Sequence, residues 1–271
     1  MKSILIGLGV LVVVALVGVL LLAAGFSRQI ARAEARLTEI PPGPVRTDLP
    51  ASVQAFAERG LAGARPGAAV RLTQAAEMRL DRGATWTALS ARQTIAAAEP
   101  GFAWVAEMKI GPIPAVRVID SYVDGVGRLE IRGLGAVPMG SDTGPEATLG
   151  EAQRYLAELP WVPDAILTNR AITWTELPDG VGAALETAGG TASVRFGFDA
   201  AGDIATMEAD ERPAKLADGT VALLPWRGWF KDYAEIGGRR IPVQGEVGYV
   251  YPEGYESYWR GRITGYAVVA E

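Results

Sequence analysis

A chain of 271 residues has room for one large domain or two small ones besides any membrane segment. Its 26 Lys plus Arg against 31 Asp plus Glu leave a formal charge of -5, which gives no general attraction to phosphate backbones and argues against nucleic acid as a partner. With neither Cys nor His, the chain has no thiol nucleophile, disulfide, imidazole base or ordinary zinc site, so any acid-base chemistry falls to carboxylates, Lys or Tyr.

The first element is the uncharged run from Ile4 to Phe26, "ILIGLGVLVVVALVGVLLLAAGF", which as a helix spans roughly 34 Å and is long enough for a hydrocarbon core. It predicts a transmembrane anchor over residues 1–27. A cleaved signal peptide is the rival reading, since Lys2 precedes the run and Ala23, Ala24 and Gly25 close it. The apolar region of a signal peptide is usually about 7 to 15 residues, shorter than this one. Lys2 and the amino terminus oppose Arg28, Arg32 and Arg36, a count that slightly favours a cytoplasmic domain. A lone N-terminal anchor ahead of a large domain is nevertheless the common route of export. The expectation is a single-pass protein of the cell membrane, with its domain on the extracytoplasmic side.

Residues 28–47 read as a charged amphipathic continuation, "SRQIARAEARLTEI", and a Pro-stiffened linker, "PPGPVRTD". Residues 48–271 then form a single β-rich domain, expected to fold and stay soluble when the chain begins near Asp48. In "DLPASVQAFAERG", Asp48 is the candidate cap and Pro50 lies in the first turn; Leu49, Val53, Phe56 and Ala57 share a side, and Gly60 stops the helix.

From Ala69 the period changes from 3.6 to 2. Val70, Leu72, Gln74, Ala76, Met78 and Leu80 share one face of a half-buried strand, and Phe102, Trp104, Ala106, Met108 and Ile110 share one face of another. Further strands are predicted over 85–95, 115–123, 127–134, 171–177, 182–188, 191–198, 203–210, 231–236, 240–251 and 255–269, separated by turn signals such as "DGVG", "LPDG" and "PEG". One helix interrupts them: Thr148 and Glu151 make a capping box, Leu149, Ala152, Leu156 and Leu159 an apolar stripe, and Pro160 an end. The fold class is α+β, mainly antiparallel β, drawn as a curved sheet or half-barrel packed on a helix.

Glu151, Arg154 and Glu158 fall together on the side of that helix away from the leucines. Such spacing commonly makes a solvated ion pair worth about 0.3 to 0.5 kcal/mol. The functional alternative has Arg154 reaching an acid of the sheet, such as Asp120, or an anionic headgroup. Tyr155 lies at the border of the two faces. "IDSYVDGVG" places Asp120, Asp124 and Gly125 at three places of a calcium loop, but Tyr122 and Ile131 occupy ligand positions, so a hairpin turn on Asp124-Gly125 is the better reading. Gln74 stands on an apolar face, where an unpaired amide costs about 1 to 3 kcal/mol. It therefore needs a partner, in the fold or in a ligand. The seven Trp suit core packing, and Trp104 and Trp161 also suit the lining of an apolar cavity. Gln74, Trp104, Asp120, Arg154, Tyr155, Glu158 and Trp161 are the candidate ligand-facing set; no catalytic residue, metal or cofactor is expected.

Taken in order, "LPASVQAFAERG", "RLTQAAEMRL", "PGFAWVAEM", "DSYVDGVGRLEIRGLG", "RYLAELPWVPDAIL", "VRFGFDAAGDI" and "GGRRIPVQGEVGYVY" resemble a bacterial family classed as a domain of unknown function, from about Leu49 to the C-terminus. The run holding "RYLAE" and W-x-P carries most of the resemblance. It implies one domain and a bacterial source, and no catalytic residue or cofactor. The strand-helix-strand order more loosely resembles the half-barrel of lipoprotein-localisation carriers, an architectural likeness without shared motifs.

Three functions are compatible with these residues. The first is a membrane-anchored domain that binds or carries an apolar ligand, such as a lipid or acyl chain, between sheet and helix. The second is a structural or protein-interaction protein of the cell envelope. A carboxylate-dependent hydrolase using Asp120, Glu158 or Glu107 is the third and weakest, because nothing fixes a carboxylate separation.

Overall fold

The computed structural model describes residues 2–216 and 218–269. Helix α1 (Lys2–Arg36) runs unbroken from the apolar segment into the charged one, and α2 (Ala51–Gly60) follows the linker. Six strands come next: β1 (Ala69–Met78), β2 (Thr87–Ala96), β3 (Phe102–Ile110), β4 (Ile113–Val123), β5 (Val126–Gly133) and β6 (Val137–Thr143). A helical block interrupts them, made of α3 (Pro145–Ala157), a 3-10 turn (Leu159–Trp161) and α4 (Pro163–Thr168). Seven strands complete the chain: β7 (Thr173–Leu177), β8 (Gly180–Thr187), β9 (Gly190–Phe198), β10 (Ile204–Lys215), β11 (Val221–Ile236), β12 (Arg239–Tyr251) and β13 (Gly254–Val269).

The 13 strands of the described residues form one open sheet in the order β6-β5-β4-β3-β2-β1-β13-β12-β11-β10-β9-β8-β7, each paired antiparallel to its neighbours. Two meanders are thus joined where β1 meets β13, from Ala69 opposite Val269 to Met78 opposite Trp259. Helix α3 touches β4, β5 and β6 on one flank and β8, β9 and β10 on the other. In a flat sheet β5 and β9 would stand about 43 Å apart at roughly 4.8 Å per strand step, and a helix is only about 10–12 Å across. The sheet must therefore curl around α3. Two glycines permit the approach: a Cβ on Gly127 would meet the Ala147 carbonyl oxygen at 2.6 Å, and one on Gly189 the Pro145 carbonyl oxygen at 2.2 Å.

The alternation read from sequence sets the concave face. Val70, Leu72, Gln74 and Ala76 of β1 are buried while Arg71, Thr73 and Ala75 are exposed, and Phe102 and Trp104 of β3 join them in the core around Tyr155, Leu156, Leu159 and Trp161. Two residues assigned to that face leave it, because Leu80 lies past the end of β1 and Ile110 ends β3 at a hairpin; both are exposed. The edge strand β6 escapes a reading by periodicity because most of "VPMGSDT" is exposed. Strand β11 starts at Val221, ahead of the expected 231, and tolerates Pro225 because its pairing with β12 begins only at Trp226.

The helix starts differ from the expected caps. Gly144, with φ 115°, turns the chain out of β6, and Pro145 opens α3. Thr148 thus sits inside the helix, where its Oγ1 accepts a hydrogen bond from Gly127 N at 3.1 Å. Asp48 makes no cap to α2 and instead accepts from Arg46 Nε at 2.9 Å. Pro160 does end α3, but the chain turns once and Pro163 opens α4.

The outer face is covered near β2–β5 by the second half of α1. Phe26 and Ile30 are buried with Val105 and Ile119, and Leu37 with Ala96 and Ala103, which is why β3 is buried on both faces. Gln29 Nε2 donates to Glu130 at 2.8 Å, and Arg36 pairs with Glu99 and Asp124 at 2.7 and 2.8 Å. Farther up the helix, Leu20, Ala23, Ala24 and Ser27 face Pro114, Arg117, Leu134 and Gly135 across a cleft of about 330 Å³. Along the linker, buried Arg46 donates to the carbonyls of Asn169 and Ile172 at 3.0 and 2.7 Å.

Candidate functional site

The site is built on a row of concave positions. Gln93 of β2 stands directly opposite Trp104 of β3, and Trp104 directly opposite Asp120 of β4. Gln74 of β1 joins the row, accepting from Trp104 Nε1 at 2.7 Å and donating to Gln93 at 3.5 Å. The amide on the apolar face thus finds its partners within the fold. Gln93 in turn donates to Glu158 at the end of α3.

Arg154 projects from α3 onto this row. Its Nε donates to Glu158 at 2.9 Å, its Nη1 donates to Asp120, and its guanidinium lies 4.9 Å from the ring centres of both Phe102 and Trp104. The side chains of Arg154, Asp120 and Glu158 are only 16%, 14% and 12% exposed. The surface ion pair is therefore overturned: a helix enclosed by a curled sheet has no broad wet face, so the side away from the leucines meets β4 and β5 instead. Burial opposes the charge on Arg154, but Glu158, Asp120 and Glu151 outweigh it and hold the guanidinium above its ordinary pKa.

Glu151, one turn earlier, extends the network. Burial, and next the charge of Asp120, push its carboxyl well above the usual range, against the pull of Arg212 and Arg154. Glu151 Oε2 and Asp120 Oδ1 are both buried without a hydrogen-bond partner, the setting in which a carboxyl holds its proton. Arg212 of β10 lies with Nη2 4.0 Å from Glu151, donates to the Gly150 carbonyl at 3.2 Å and to the Tyr249 hydroxyl, and stacks 4.4 Å from Trp226. A polar chain therefore runs from Trp104 through Gln74, Gln93, Glu158 and Arg154 to Asp120, and a second one joins Glu151 to Arg212 and Tyr249.

Of the candidate residues, Gln74, Trp104, Asp120, Arg154 and Glu158 come together. Tyr155 does not: it is fully buried beneath α3, accepts from Asn169 at 2.9 Å and lies 3.4 Å from the carbonyls of Ala96 and Glu99. Trp161 packs edge-on against Phe230 and Trp259 and donates to the Pro242 carbonyl at 3.0 Å, so it is a core residue. Gln93, Glu151, Arg212 and Tyr249 are the members missed. Gln93 was findable, since Leu89, Ala91, Gln93 and Ile95 alternate as β1 does. Arg212 was not, because a bulge between Ala209 and Arg212 breaks the period.

Toward the hairpin ends of β1, β3, β4, β5 and β12, the concave face changes character. Met78, Met108, Val116, Leu129, Ile131 and Val247 pack against the core but remain only partly buried. They form an apolar band above the polar chain, with Trp226 and Tyr258 beside it, the indole nitrogen of Trp226 donating to the Tyr258 hydroxyl at 3.2 Å.

Among solved structures, the chain is similar to a LolA superfamily protein from Nitrosomonas europaea, at 8% identity and TM-score 0.42, over 81% of this chain and 94% of that one. It is also similar to a predicted outer-membrane lipoprotein-sorting protein domain from Vibrio parahaemolyticus, at 9% identity and TM-score 0.46, over 79% and 91%. A DUF1329 family protein from Desulfovibrio piger matches at 7% identity and TM-score 0.40, over 80% and 92%. No curated protein matches in sequence. Residues 44–261 match the model of DUF6544, so the chain belongs to that family of unknown function.

Proposed function

We propose that the protein is a single-pass, membrane-anchored domain that binds one apolar ligand, a lipid or acyl chain, on its concave face. The observation that carries this reading is the partly buried band of Met78, Met108, Val116, Leu129, Ile131 and Val247 above a closed polar floor. The ligand's chain lies along the band and its polar end meets Arg154, Asp120 and Glu158. Ten methylenes buried there gain roughly 8 kcal/mol before the entropy of binding is set against them, which brings micromolar affinity within reach. The α1 segment holds the chain in the membrane, and the domain lies on the extracytoplasmic side. Its hydropathy and length support the anchor.

Native mass spectrometry and lipid extraction of protein purified in a non-lipid detergent test the reading, with Trp fluorescence followed during phospholipid and fatty-acid titration. A copurifying lipid and a saturable change are expected, both lost in Met108→Asp. Their absence in the folded wild-type protein sinks the proposal.

A second reading, a protein-interaction module, is favoured by one feature of the outer face. A shallow groove of about 450 Å³ crosses β1, β2 and β11–β13 over the small residues Ala75, Ala88, Gly245 and Gly261, flanked by Glu77, Lys231, Glu246, Arg260 and Arg262.

A further inference from the structure

We propose that the β3–β4 and β5–β6 hairpin tips form a membrane-contacting edge, in which Ile110, Ile113, Leu134, Val137 and Met139 enter the leaflet from which α1 emerges. The inference rests on the anchor reading and adds an orientation of the domain against the bilayer.

Three observations carry it. First, these five side chains are 75%, 56%, 53%, 52% and 62% exposed, and the antiparallel order brings both hairpins to the same edge of the sheet. Second, both tips lack charge: none occurs from Ile110 to Val116 or from Gly133 to Gly140, whereas the β1–β2, β10–β11 and β12–β13 connections of that edge carry Arg79, Asp81 and Arg82, Asp218, and Glu253, and the uncharged β8–β9 turn of Thr187, Ala188, Gly189 and Gly190 offers no large apolar side chain. Contiguous apolar surface of this kind marks a contact site. Third, the tips stand beside the helix at the right depth. From Ile4 to Ala24 the helix rises about 31 Å, the thickness of a hydrocarbon core of about 30 Å. At that point α1 faces Pro114, Leu134 and Gly135, and a Cβ added to Gly135 would lie 3.7 Å from the Ala23 side chain.

The bilayer is thus the occupant that the anchor itself supplies. Where α1 leaves the hydrocarbon, the two tips reach the boundary between headgroups and acyl chains, and Lys109 next to Ile110 is exposed to meet phosphate. The same edge bounds the apolar band of the concave face, through Met108 below Ile110 and Ile131 below Gly133. A lipid moving from leaflet to band crosses no charged hairpin.

The chain has no native Cys, which makes a direct test simple. Full-length Ile110→Cys, Leu134→Cys and Met139→Cys, each labelled with an environment-sensitive fluorophore, go into phosphatidylethanolamine and phosphatidylglycerol nanodiscs with or without lipids brominated near the headgroup or, for the anchor label, near the acyl-chain end. Val13→Cys reports on the anchor and Ala200→Cys on the far edge of the domain. At least twofold quenching by brominated lipid is expected at 110, 134 and 139 and none at 200. Iodide-accessible, unquenched tips beside a lipid-quenched label at 13 overturn the edge while leaving the anchor intact. Tips shielded from iodide yet unquenched by lipid indicate a protein contact and also overturn it. A label at 13 that lipid does not quench removes the anchor and the edge together.

Discussion

Arg154, on α3, donates to Asp120 of β4 and, one turn along its own helix, to Glu158 at 2.9 Å. One guanidinium thus ties the helix to the sheet that encloses it. Removing Arg154 strands two mostly buried carboxylates, so Arg154→Ala is expected to cost about 3–5 kcal/mol in urea unfolding, not the fraction of a kcal/mol of an exposed pair. With Asp120→Asn, the double-mutant cycle should show coupling well above about 0.5 kcal/mol. Additive effects would remove the contact.

Glu151 gives the domain a pH dependence of definite sign. Its folded pKa is raised by burial and by Asp120, so the favourable protonated state is fully present below the unfolded carboxyl pKa. Stability falls as pH rises from that value through the folded pKa. Glu151→Gln keeps the size of the side chain and offers a donor beside the unpartnered Asp120 Oδ1 without the charge. It should therefore flatten this slope and raise stability above neutral pH by about 1 kcal/mol; an unchanged pH profile from thermal melts would rule this out.

Asp164 opens α4 with a side chain fully buried against Arg239, whose own side chain is 3% exposed, through contacts of 2.6 and 2.9 Å. It also accepts from Gly67 N at 2.7 Å, just before β1. Asp164→Ala leaves a buried cation and an orphaned amide, with an expected loss of about 3–5 kcal/mol. A Tm close to wild type would contradict that account.

Residues 27–47 are expected to behave as part of the domain. Ile30 and Leu37 cover Val105, Ile119, Ala96 and Ala103, each apolar side chain worth about 1.5–3 kcal/mol when fully buried. A chain begun at Phe26 should be soluble and monomeric, while one begun at Asp48 should aggregate or melt earlier. Equal light scattering and equal Tm for the two would show that the segment is only a tether.

The legible parts of this fold are those in which one residue's neighbours along the chain decide its place. Alternation in "AVRLTQAAEM" and "FAWVAEM" assigned the concave face of β1 and β3, and the uncharged run announced α1. What stayed hidden depends on strand register and enclosure. Nothing local says that Gln93, Trp104 and Asp120 are cross-strand neighbours. The polar side of α3 looks like any wet helix face until the sheet is known to close over it, whereas Gln74, and Gln93 by the same alternation, mark the site locally as polar residues in apolar rows. Strand β6 and the first part of β11 were missed because an edge and a bulge both escape a period of two.

The pairing of β1 with β13 joins the first strand of the chain to its last. Before residue 254 has been synthesised, the two meanders are separate sheets, each with an unpaired strand edge and only part of the wall around α3. Such a topology has high contact order and cannot close until β13 has left the ribosome. Until then the edges of β1 and β12 are open to a chaperone or to another copy. Deleting Gly254–Val269 would take away the seam of the whole sheet.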